Sequence, residues 1–376
     1  MKLQHTFVAA AALLAAAAVQ AQSSSVTLYG NIEQYLNFMK SSSGKSVTSL
    51  NDGALLRSRL GFRGVEDLGG GLQVKFTLEH GLYADSGKQN DTTRFFDRQA
   101  WVGLATPYGE FRAGRQNSAA FVRSAEIDYS GRTLGSISNF YGLTARYDND
   151  LVYISPRLSG FVFEAHYAPG EQTAGSPSAN GVWQFAVDYA NGPFKAGFAG
   201  LRARPTATAP VGRTVVFDNL YGSYDYGQGK VYASVIRSNN TTPSNSGPLQ
   251  GNNAGSILGM TGSLAALGTK AEANRFHNIV QLSADYRVTP QVRVGGMIGR
   301  IYDTSALNQN ATAGSLGAFY DLSKRTTLYT MAEVLKNDRT AGFVLAGSAA
   351  VLPNFEAADV NGRRITALQV GIQHRF

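Results

Sequence analysis

Basic side chains recur at alternate positions early in the chain, where their types and spacing suit electrostatic chemistry. Arg57, Arg59 and Arg63 share one parity, and Leu60 and Phe62 have the other. Successive side chains of a β-strand point to opposite faces, so a strand here carries its cations on one face and its apolar groups on the other. A wall of fixed cations attracts anions and orients dipoles, and it breaks no covalent bond.

Other charged residues extend this pattern along the following segments. Lys75 lies on the polar side of the alternating segment 72–79, and Arg112 alternates with Phe111 and Ala113. The acids on these segments are fewer, namely Glu79 and Glu110. Arg115 has the parity of Phe111, so alternation does not place it with the other cations. One hypothesis is that Arg115 lies at a contact between subunits.

Residues suited to bond chemistry form no recognisable motif. Cysteine is absent, which excludes disulfides and thiolate chemistry. Gly69, Gly70 and Gly71 precede a strand and not a helix, which indicates a turn and not a phosphate-binding loop. Metal-ligand spacing is missing among the histidines, which are His5, His80, His166, His277 and His374. We expect no cofactor, no metal and no enzyme activity, and a hydrolase whose residues meet only in space stays a minor alternative.

The first 21 residues have the features of a secretory signal peptide. Lys2 gives the positive start, 7–19 is an apolar run rich in alanine, and Val19-Gln20-Ala21 supplies small residues at a cleavage site. The run is shorter than the roughly 20 apolar residues that a membrane-spanning helix needs. We expect cleavage after Ala21, export from the cytoplasm and a mature domain of residues 22–376.

The composition of the full chain favours many strands and turns. Mean hydropathy is −0.15, and the chain contains 42 glycines, 18 tyrosines and 20 phenylalanines with only 16% charged residues. No later stretch has the length and apolarity of a spanning helix. Two classes therefore remain, a soluble exported protein and a barrel whose strands alternate apolar and polar residues.

The connections between strands distinguish these two classes. Long polar connections alternate with short turns containing Gly, Pro, Asn or Asp. The long connections are 40–53, 85–93, 116–146, 169–181, 202–213, 238–274, 303–312 and 336–363. The short turns are 67–70, 106–109, 159–160, 191–193, 226–229, 289–290 and 323–324. Fifteen connections predict sixteen strands, and strict alternation is typical of an up-and-down barrel with all long loops at one end.

A barrel of this size explains why each strand has one polar and one apolar face. Residues 72–79 and the terminal segment 368–376 separate apolar from polar side chains by parity. Sixteen strands enclose an aqueous channel, so the polar face is expected to meet water and the apolar face lipid. Aromatic residues near strand ends suit the girdles at the membrane surfaces; they include Tyr29, Tyr35, Phe38, Tyr83, Tyr153 and Tyr329.

Several segments resemble Gram-negative porins of the β-proteobacterial type, the neisserial and burkholderial general-diffusion family. The resemblance extends from the first strand to the last, and it is carried by 25–30, 58–72, 96–104, 114–116, 320–329 and 370–376. It implies an all-β, sixteen-stranded antiparallel transmembrane barrel in the outer membrane, with a third loop folded inward. It also implies a homotrimer that passes small hydrophilic solutes and ions.

Parity and the resemblance together define the candidate site. The expected pore-lining cations are Arg57, Arg59, Arg63, Lys75, Arg98 and Arg112, of which Arg98 rests on the resemblance. The expected constriction-loop residues are Arg123, Glu126, Asp128 and Arg132. Acids of that loop opposite a basic wall would create a transverse field, and the basic excess predicts a modest anion preference. The alternatives are a substrate-specific channel on the same barrel and, less favoured, an adhesin or enzyme.

The remaining expectations concern partners. Phe376, with Ile372 and Val370 on one face, resembles the terminal signal that the barrel-assembly machinery reads. The alternative is that it is simply the last lipid-facing anchor of a strand, and the two roles are compatible. Outer-membrane lipid and lipopolysaccharide are further expected partners. The net charge of +8 does not indicate nucleic acid, because an exported chain does not meet it.

Overall fold

The computed structural model describes residues 24–131, 136, 145–169, 181–203, 214–239, 276–304, 306, 308–339, 341–343, 345 and 355–376. The expected signal peptide, residues 1–21, lies outside the described residues. The helices are short: α1 is Ala119–Arg123, followed by a 3-10 turn Ser124–Glu126, and α2 is Ala357–Val360. The strands are β1 Ser24–Ser41, β2 Ser46–Asn51, β3 Arg59–Gly69, β4 Leu72–Gly81, β5 Gln99–Thr106, β6 Gly109–Asn117, β7 Arg146–Ile154, β8 Phe161–Ala168, β9 Val182–Asn191, β10 Phe194–Ala203, β11 Val215–Asp225, β12 Lys230–Ser238, β13 His277–Arg287, β14 Val292–Asp303, β15 Ala311–Asp321, β16 Thr326–Asn337 and β17 Arg364–Arg375.

These strands form one closed antiparallel barrel. From β3 onward each strand pairs with the next, and β17 pairs with β1 over Asn31–Ser41. β2 pairs with the C-terminal half of β1, and β3 pairs with the N-terminal half of β1. β2 and β3 therefore share a single strand position in the barrel. The barrel therefore has sixteen strand positions, which confirms the count predicted from the connections. Within the described residues, no helix is long and apolar enough to cross a membrane.

The outer surface carries the apolar parity of the strands. Large exposed hydrophobic side chains follow this parity around the barrel, for example Leu28, Val102, Phe185, Leu220, Leu282, Ile298 and Leu316. The opposite parity carries buried polar groups, including Glu33, Glu79, Gln184, Gln281 and Gln369. Apolar surface facing lipid and polar groups facing inward are the two faces that a membrane barrel requires.

The strand at the second position is interrupted by the insert 52–58, which was not predicted. Glu33 of β1 accepts the backbone N–H groups of Leu55 at 2.8 Å and Leu56 at 2.6 Å. Asn31 donates to the carbonyl oxygen of Leu56 at 3.0 Å. Inward-facing side chains of β1 thus hold the insert, and Arg57 belongs to it and not to a strand. Strand parity therefore does not apply to Arg57.

Arg115 lies at an irregular point of β6. The register of β6 against β7 shifts between Gly114 and Gln116, where the extra residue lies in β7 and Gly114 has φ of +128°. The side chain of Arg115 is buried and bound to Asp148 and to the Asp97 carbonyl oxygen. Alternation, which had set Arg115 apart from the other cations, was therefore wrong at this position.

The inner face is not polar throughout, in contrast to the expectation. Toward the long-connection end of β10–β17, the inward side chains are apolar and buried: Leu201, Phe217, Ile236, Ile279, Ile301, Met331, Leu335 and Ile365. Phe343 packs on this surface and is held by Asn337, which donates to the Phe343 carbonyl oxygen at 2.8 Å. Residues of the last connection therefore occupy part of the interior.

Candidate functional site

A cluster of charges on the inner wall is centred on the buried carboxylate of Glu79. Arg98 donates through Nε to Glu79 at 2.7 Å, and Arg59 lies 3.8 Å away on the same oxygen. The Tyr29 hydroxyl donates to the second oxygen at 3.0 Å. One carboxylate thus fixes two guanidinium groups, a geometry stabilised by charge-assisted hydrogen bonds.

Arg146, at the start of β7, is an additional basic residue that sequence reasoning missed. Its side chain is 3% exposed, its guanidinium lies 5.3 Å from the Phe121 ring centre, and it interacts electrostatically with Arg98, Arg115 and Glu79. Its Nε and Nη2 atoms have no hydrogen-bond partner among the residues that the structure describes. Sequence alone placed Arg146 at the end of the third connection, where alternation gives no signal.

Arg115 and Arg57 extend the basic cluster toward the second long connection, 82–98. Arg115 binds Asp148 at 2.6 Å and the Asp97 carbonyl oxygen at 2.6 Å. Arg57 donates to the side chain of Asn90 and lies 5.4 Å from the Tyr83 ring centre. Five arginines are therefore neighbours, and we call them the basic wall. Arg57, Arg59 and Arg98 were predicted as pore-lining cations, whereas Arg115 and Arg146 were not.

The other predicted cations lie nearer the short-turn end and face inward. Lys75 and Arg112 share the acid Glu110, at 3.0 Å and 2.6 Å. Arg112 also lies over the Trp101 ring at 4.4 Å, and Arg63 lies 5.3 Å from the Tyr29 ring centre. These side chains are partly exposed, unlike those around Glu79.

The start of the third connection is tied to the wall by ion pairs. Ser118 caps α1 by accepting the Phe121 N–H at 3.2 Å. Arg123, 4% exposed, binds Glu164 of β8 and Asp188 of β9, each at 2.6 Å. Burial disfavours the charge of Arg123, but the two carboxylates outweigh this effect and raise the pKa of Arg123 above its usual value.

A few residues further, the same connection is tied to a different part of the wall by hydrogen bonds and by packing, without a buried ion pair. The Tyr129 N–H group donates to Ser283 Oγ at 3.0 Å, and the Tyr129 hydroxyl donates to Ser315 Oγ at 3.0 Å. Arg293 donates to the Tyr129 carbonyl oxygen at 2.9 Å. The Tyr129 ring lies over Gly295 and Gly317, which are opposite each other on β14 and β15. A Cβ atom at Gly295 would stand 2.4 Å from the ring, so the glycines provide the space it occupies.

The predicted constriction residues have specific partners. Glu126 pairs with Lys195 of β10. Asp128 accepts the N–H groups of Ser130 at 2.8 Å and Gly131 at 2.9 Å, so its carboxylate is engaged in its own turn. Arg132 lies outside the described residues. Neither described acid contacts the basic wall, and the transverse field stays a prediction.

A cavity of about 920 Å³ lies between the third connection and the insert 52–58. Leu55 and Leu56 line one side, Tyr129 and Ser130 another, and the short-turn ends of β11–β17 complete it. Its lining also includes the basic residues Lys230, Arg287, Arg293, Lys324 and Arg375. Among the described residues, no group of His, Cys, Asp or Glu is arranged to hold a metal ion.

A closed barrel with an apolar exterior and a charged, partly open interior defines an integral membrane protein of the channel type. Comparison with known proteins agrees. The family model of Gram-negative porins matches residues 8–340. Outer membrane porin protein 32 of Delftia acidovorans is 28% identical, with all of both chains covered. An outer membrane porin protein of Bordetella pertussis is 30% identical, with 98% of each chain covered.

Solved structures show the same fold. An anion-selective porin from Comamonas acidovorans superposes with a TM-score of 0.75 at 24% identity, covering 94% of this chain and 100% of that one. OmpT of Vibrio cholerae gives a TM-score of 0.65 at 14% identity, covering 95% and 99%. The chain belongs to the Gram-negative porin family. It is an outer-membrane porin, as the sequence predicted.

Proposed function

We propose that the barrel is a general-diffusion channel for small hydrophilic solutes and ions, with a modest preference for anions. The observation that carries this proposal is the basic wall. Arg59, Arg98, Arg115 and Arg146 stand around the buried acid Glu79, and the acids Asp97 and Asp148 lie at the edge of the wall beside Arg115. Fixed cations in a narrow channel raise the local concentration of anions and exclude cations. This mechanism needs no cofactor, no bond chemistry and no energy coupling, so we assign no enzyme activity.

We infer that the third connection narrows the channel. It reaches from Arg123 at β8 and β9 to Tyr129 at β13–β15, and all of these partners have inward parity. A segment held at two separate places on the inner wall reduces the free cross-section between them. The insert 52–58 supports the same inference, because Leu55 and Leu56 line the cavity that the third connection also lines.

The experiment that tests selectivity is the zero-current potential of the purified protein in a planar bilayer under a KCl gradient. We expect a potential of the sign that indicates chloride preference, and a smaller one for the double variant R98Q/R146Q. A matched control is R202Q, whose guanidinium lies on the outer face and binds Asp218 at 2.7 Å. Cation preference in the unaltered protein would contradict the proposal.

The same preparation separates the alternatives. A general-diffusion channel shows conductance proportional to salt concentration and no saturation with any solute. A substrate-specific channel shows saturable flux and block by its solute. Binding or turnover that persists in a protein without conductance would indicate an adhesin or enzyme.

We infer a homotrimer from a gap in the aromatic girdle at the short-turn end. Outward-facing aromatic residues are found there on β6–β11, β13 and β15: Phe111, Tyr153, Phe161, Tyr189, Phe194, Tyr224, Tyr286 and Tyr320. On β16, β1, β3, β4 and β5 the corresponding positions carry Leu328, Val26, Leu68, Leu72 and Leu104, and Phe376 at the end of β17 is an exception within this stretch. Girdles form where protein meets the lipid interface, so a face poor in aromatic residues suits contact with another subunit. One related structure is described as a trimer form of Vibrio cholerae OmpT.

The native mass of the protein in mild detergent tests the trimer directly. The chain has no cysteine, so a single cysteine reports the accessibility of one position. We expect L28C on β1 to be protected from a bulky maleimide in the oligomer and L220C on β11 to react. Equal labelling of both, or a monomeric mass, would contradict a trimer through this face.

Phe376 is proposed as a recognition signal for the barrel-assembly machinery. Its backbone exchanges hydrogen bonds with Gly30 at 3.0 and 3.1 Å, and its ring covers Gly30 on the outer face. These contacts also support the simpler interpretation that Phe376 closes the barrel. Deleting Phe376 and measuring membrane yield in cells, alongside refolding in detergent, separates the two. We expect low yield in cells with normal refolding; normal yield in cells would rule out the signal.

A further inference from the structure

The insert 52–58 places two leucines on the inner side of the barrel. Leu55 and Leu56 are half-buried, and both line the cavity of about 920 Å³. Their backbone N–H groups donate to the Glu33 carboxylate, so the insert is held through its backbone and not through the leucine side chains. Apolar surface that meets water is unfavourable, and a solute that covers this surface is therefore favoured over water.

Another side of the same cavity adds aromatic surface. The rings of Tyr129 and Phe319 line the cavity, although each ring is largely buried, and they lie edge to face with their centres 6.2 Å apart. The guanidinium of Arg293 lies 4.1 Å from the Phe319 ring centre. The cavity therefore has apolar surface on two sides, and a cation adjoins one of them.

Cations without an ion pair lie in the same cavity. The lining carboxylates already have partners within the protein: Asp128 binds its own turn, Asp225 binds Lys230, Asp285 binds Arg293 and Tyr232, and Asp321 binds Thr327. Within the part of the chain that the structure describes, no ion pair is found for Arg287, Lys324 or Arg375, which also line the cavity. Arg287 and Arg293 are direct cross-strand partners, a like-charge pair that an anion in the cavity would relieve.

The insert also joins this apolar surface to the basic wall. Leu56 and Arg57 are consecutive residues, and Arg57 belongs to the basic wall. Consecutive Cα atoms are about 3.8 Å apart, so the cationic and the apolar surfaces adjoin along the channel. A solute that passes the insert meets both kinds of surface.

We propose that Leu55 and Leu56 determine which anions the channel favours, namely small organic anions whose carboxylate is joined to an apolar body such as an aromatic ring. The proposal rests on the proposed anion channel and names the class of anion that this channel passes best. The apolar body leaves water for the leucine surface while the cations attract the carboxylate. Such an anion enters the channel more readily than a fully hydrophilic anion of the same charge, and its flux rises in proportion to its concentration when the solution is dilute.

The test compares phenylacetate with acetate in a planar bilayer that contains the purified protein. Dilute potassium chloride is placed on one side, and potassium acetate or potassium phenylacetate at the same concentration and neutral pH on the other. The zero-current potential then gives the permeability of each carboxylate relative to chloride. In a channel that discriminates by size alone, the bulkier phenylacetate is the less permeable. We expect the reverse order, with phenylacetate roughly threefold to tenfold more permeable than acetate, as partial cover of one ring allows.

The double variant L55N/L56N removes the apolar surface and keeps the backbone contacts with Glu33. Asparagine has nearly the shape of leucine, so the cross-section of the channel changes little. We expect phenylacetate to become less permeable than acetate in this variant. The matched control is L158N, because Leu158 is an exposed leucine of a short turn outside the cavity lining, and its permeability ratio is expected to equal that of the unaltered protein.

A second series uses the unaltered protein alone and does not depend on the folding of a variant. Acetate, butyrate and hexanoate carry the same charge and differ in the length of the apolar body. We expect the permeability relative to chloride to rise along this series, whereas a channel without apolar surface gives a steady fall.

Two results would overturn the proposal. One is a permeability that falls with the size of the apolar body in the unaltered protein. The other is a double variant L55N/L56N that keeps the preference for phenylacetate, which would assign that preference to a different surface. Both results leave the anion preference untouched, since the preference for chloride over potassium is measured separately under a KCl gradient. Cation preference under that gradient would contradict the proposed function, whereas the ratio between the two carboxylates would still test the leucines.

Discussion

The third connection is fixed at two places, and the two use different chemistry. Near its start, Arg123 joins the carboxylates of Glu164 and Asp188 in a buried ionic contact. Six residues later, Tyr129 is held by hydrogen bonds without an ion pair and by the fit of its ring over Gly295 and Gly317. We call these the ionic anchor and the steric anchor.

The difference shows which kind of substitution displaces the third connection at each anchor. Loss of one partner in a buried ion pair leaves an uncompensated charge, so the ionic anchor tolerates no neutral substitution. The steric anchor contains no such charge, and its weak point is volume, because one added methyl group must displace the ring. The two anchors should therefore fail in different ways and by different amounts.

The largest effect on the attachment of the third connection is expected for Arg123→Gln. It leaves Glu164 with His166 and Asp188 with the Tyr221 hydroxyl as their remaining partners. The expected cost is about 3–5 kcal/mol in the free energy that holds the connection to the wall. We expect frequent fluctuations of single-channel current, because the first part of the connection is released, and a lower unfolding temperature in detergent.

The control for this variant is Arg123→Lys. A lysine keeps the charge but lacks the forked donors that reach two carboxylates at once, so its effect should be intermediate. Quiet single-channel currents in Arg123→Gln would show that the ionic anchor does not hold the connection.

Two substitutions at the steric anchor are expected to change the single-channel conductance in opposite directions. Gly317→Ala places a Cβ atom 2.8 Å from the Tyr129 ring and forces the connection away from the wall, at a cost of about 1–3 kcal/mol. The channel should narrow and its conductance should fall. Tyr129→Ala removes the ring and should raise conductance, measured for single channels in KCl.

The double variant Tyr129→Ala with Gly317→Ala makes this test specific. Without the ring, the added methyl group has nothing to displace, so the double variant should conduct like Tyr129→Ala alone. Gly314→Ala is the matched control on β15, since its Cβ atom would meet its nearest neighbour at 3.4 Å. Additive effects of the two substitutions would contradict the fit of ring and glycines.

Much of the barrel could be predicted from the sequence, because strand alternation and connection length are local features. Arg59, Arg63, Lys75 and Arg112 lie in regular strands, and their inward parity agrees with the pattern. Alternation did not predict the partners of Arg115, because β6 is irregular at Gly114, where φ is +128° and the register against β7 shifts.

The anchors of the third connection could not be predicted in the same way. Tyr129 meets Gly295 and Gly317 across more than 160 positions of sequence, and glycine in a strand gives no local signal of what lies over it. Arg146 was missed for a related reason, since it begins a strand whose first residue the pattern does not fix. Local periodicity specifies the wall, whereas contacts between distant segments specify what lies against it.

The smallest effect is expected away from both anchors, for Lys75→Gln. Lys75 and Glu110 form a partly exposed pair at 3.0 Å, and such pairs contribute about 0–1 kcal/mol. Arg112 remains bound to Glu110 at 2.6 Å, so the acid keeps a partner and the barrel should unfold at an unchanged temperature.

Current fluctuations of the Lys75→Gln channel should also stay unchanged, because neither anchor is altered. Chloride preference should decrease slightly in the zero-current potential, since one inward cation is lost. A change in current fluctuations as large as that of Arg123→Gln would mean that the wall and the anchors are coupled, and the distinction between them would have to be abandoned.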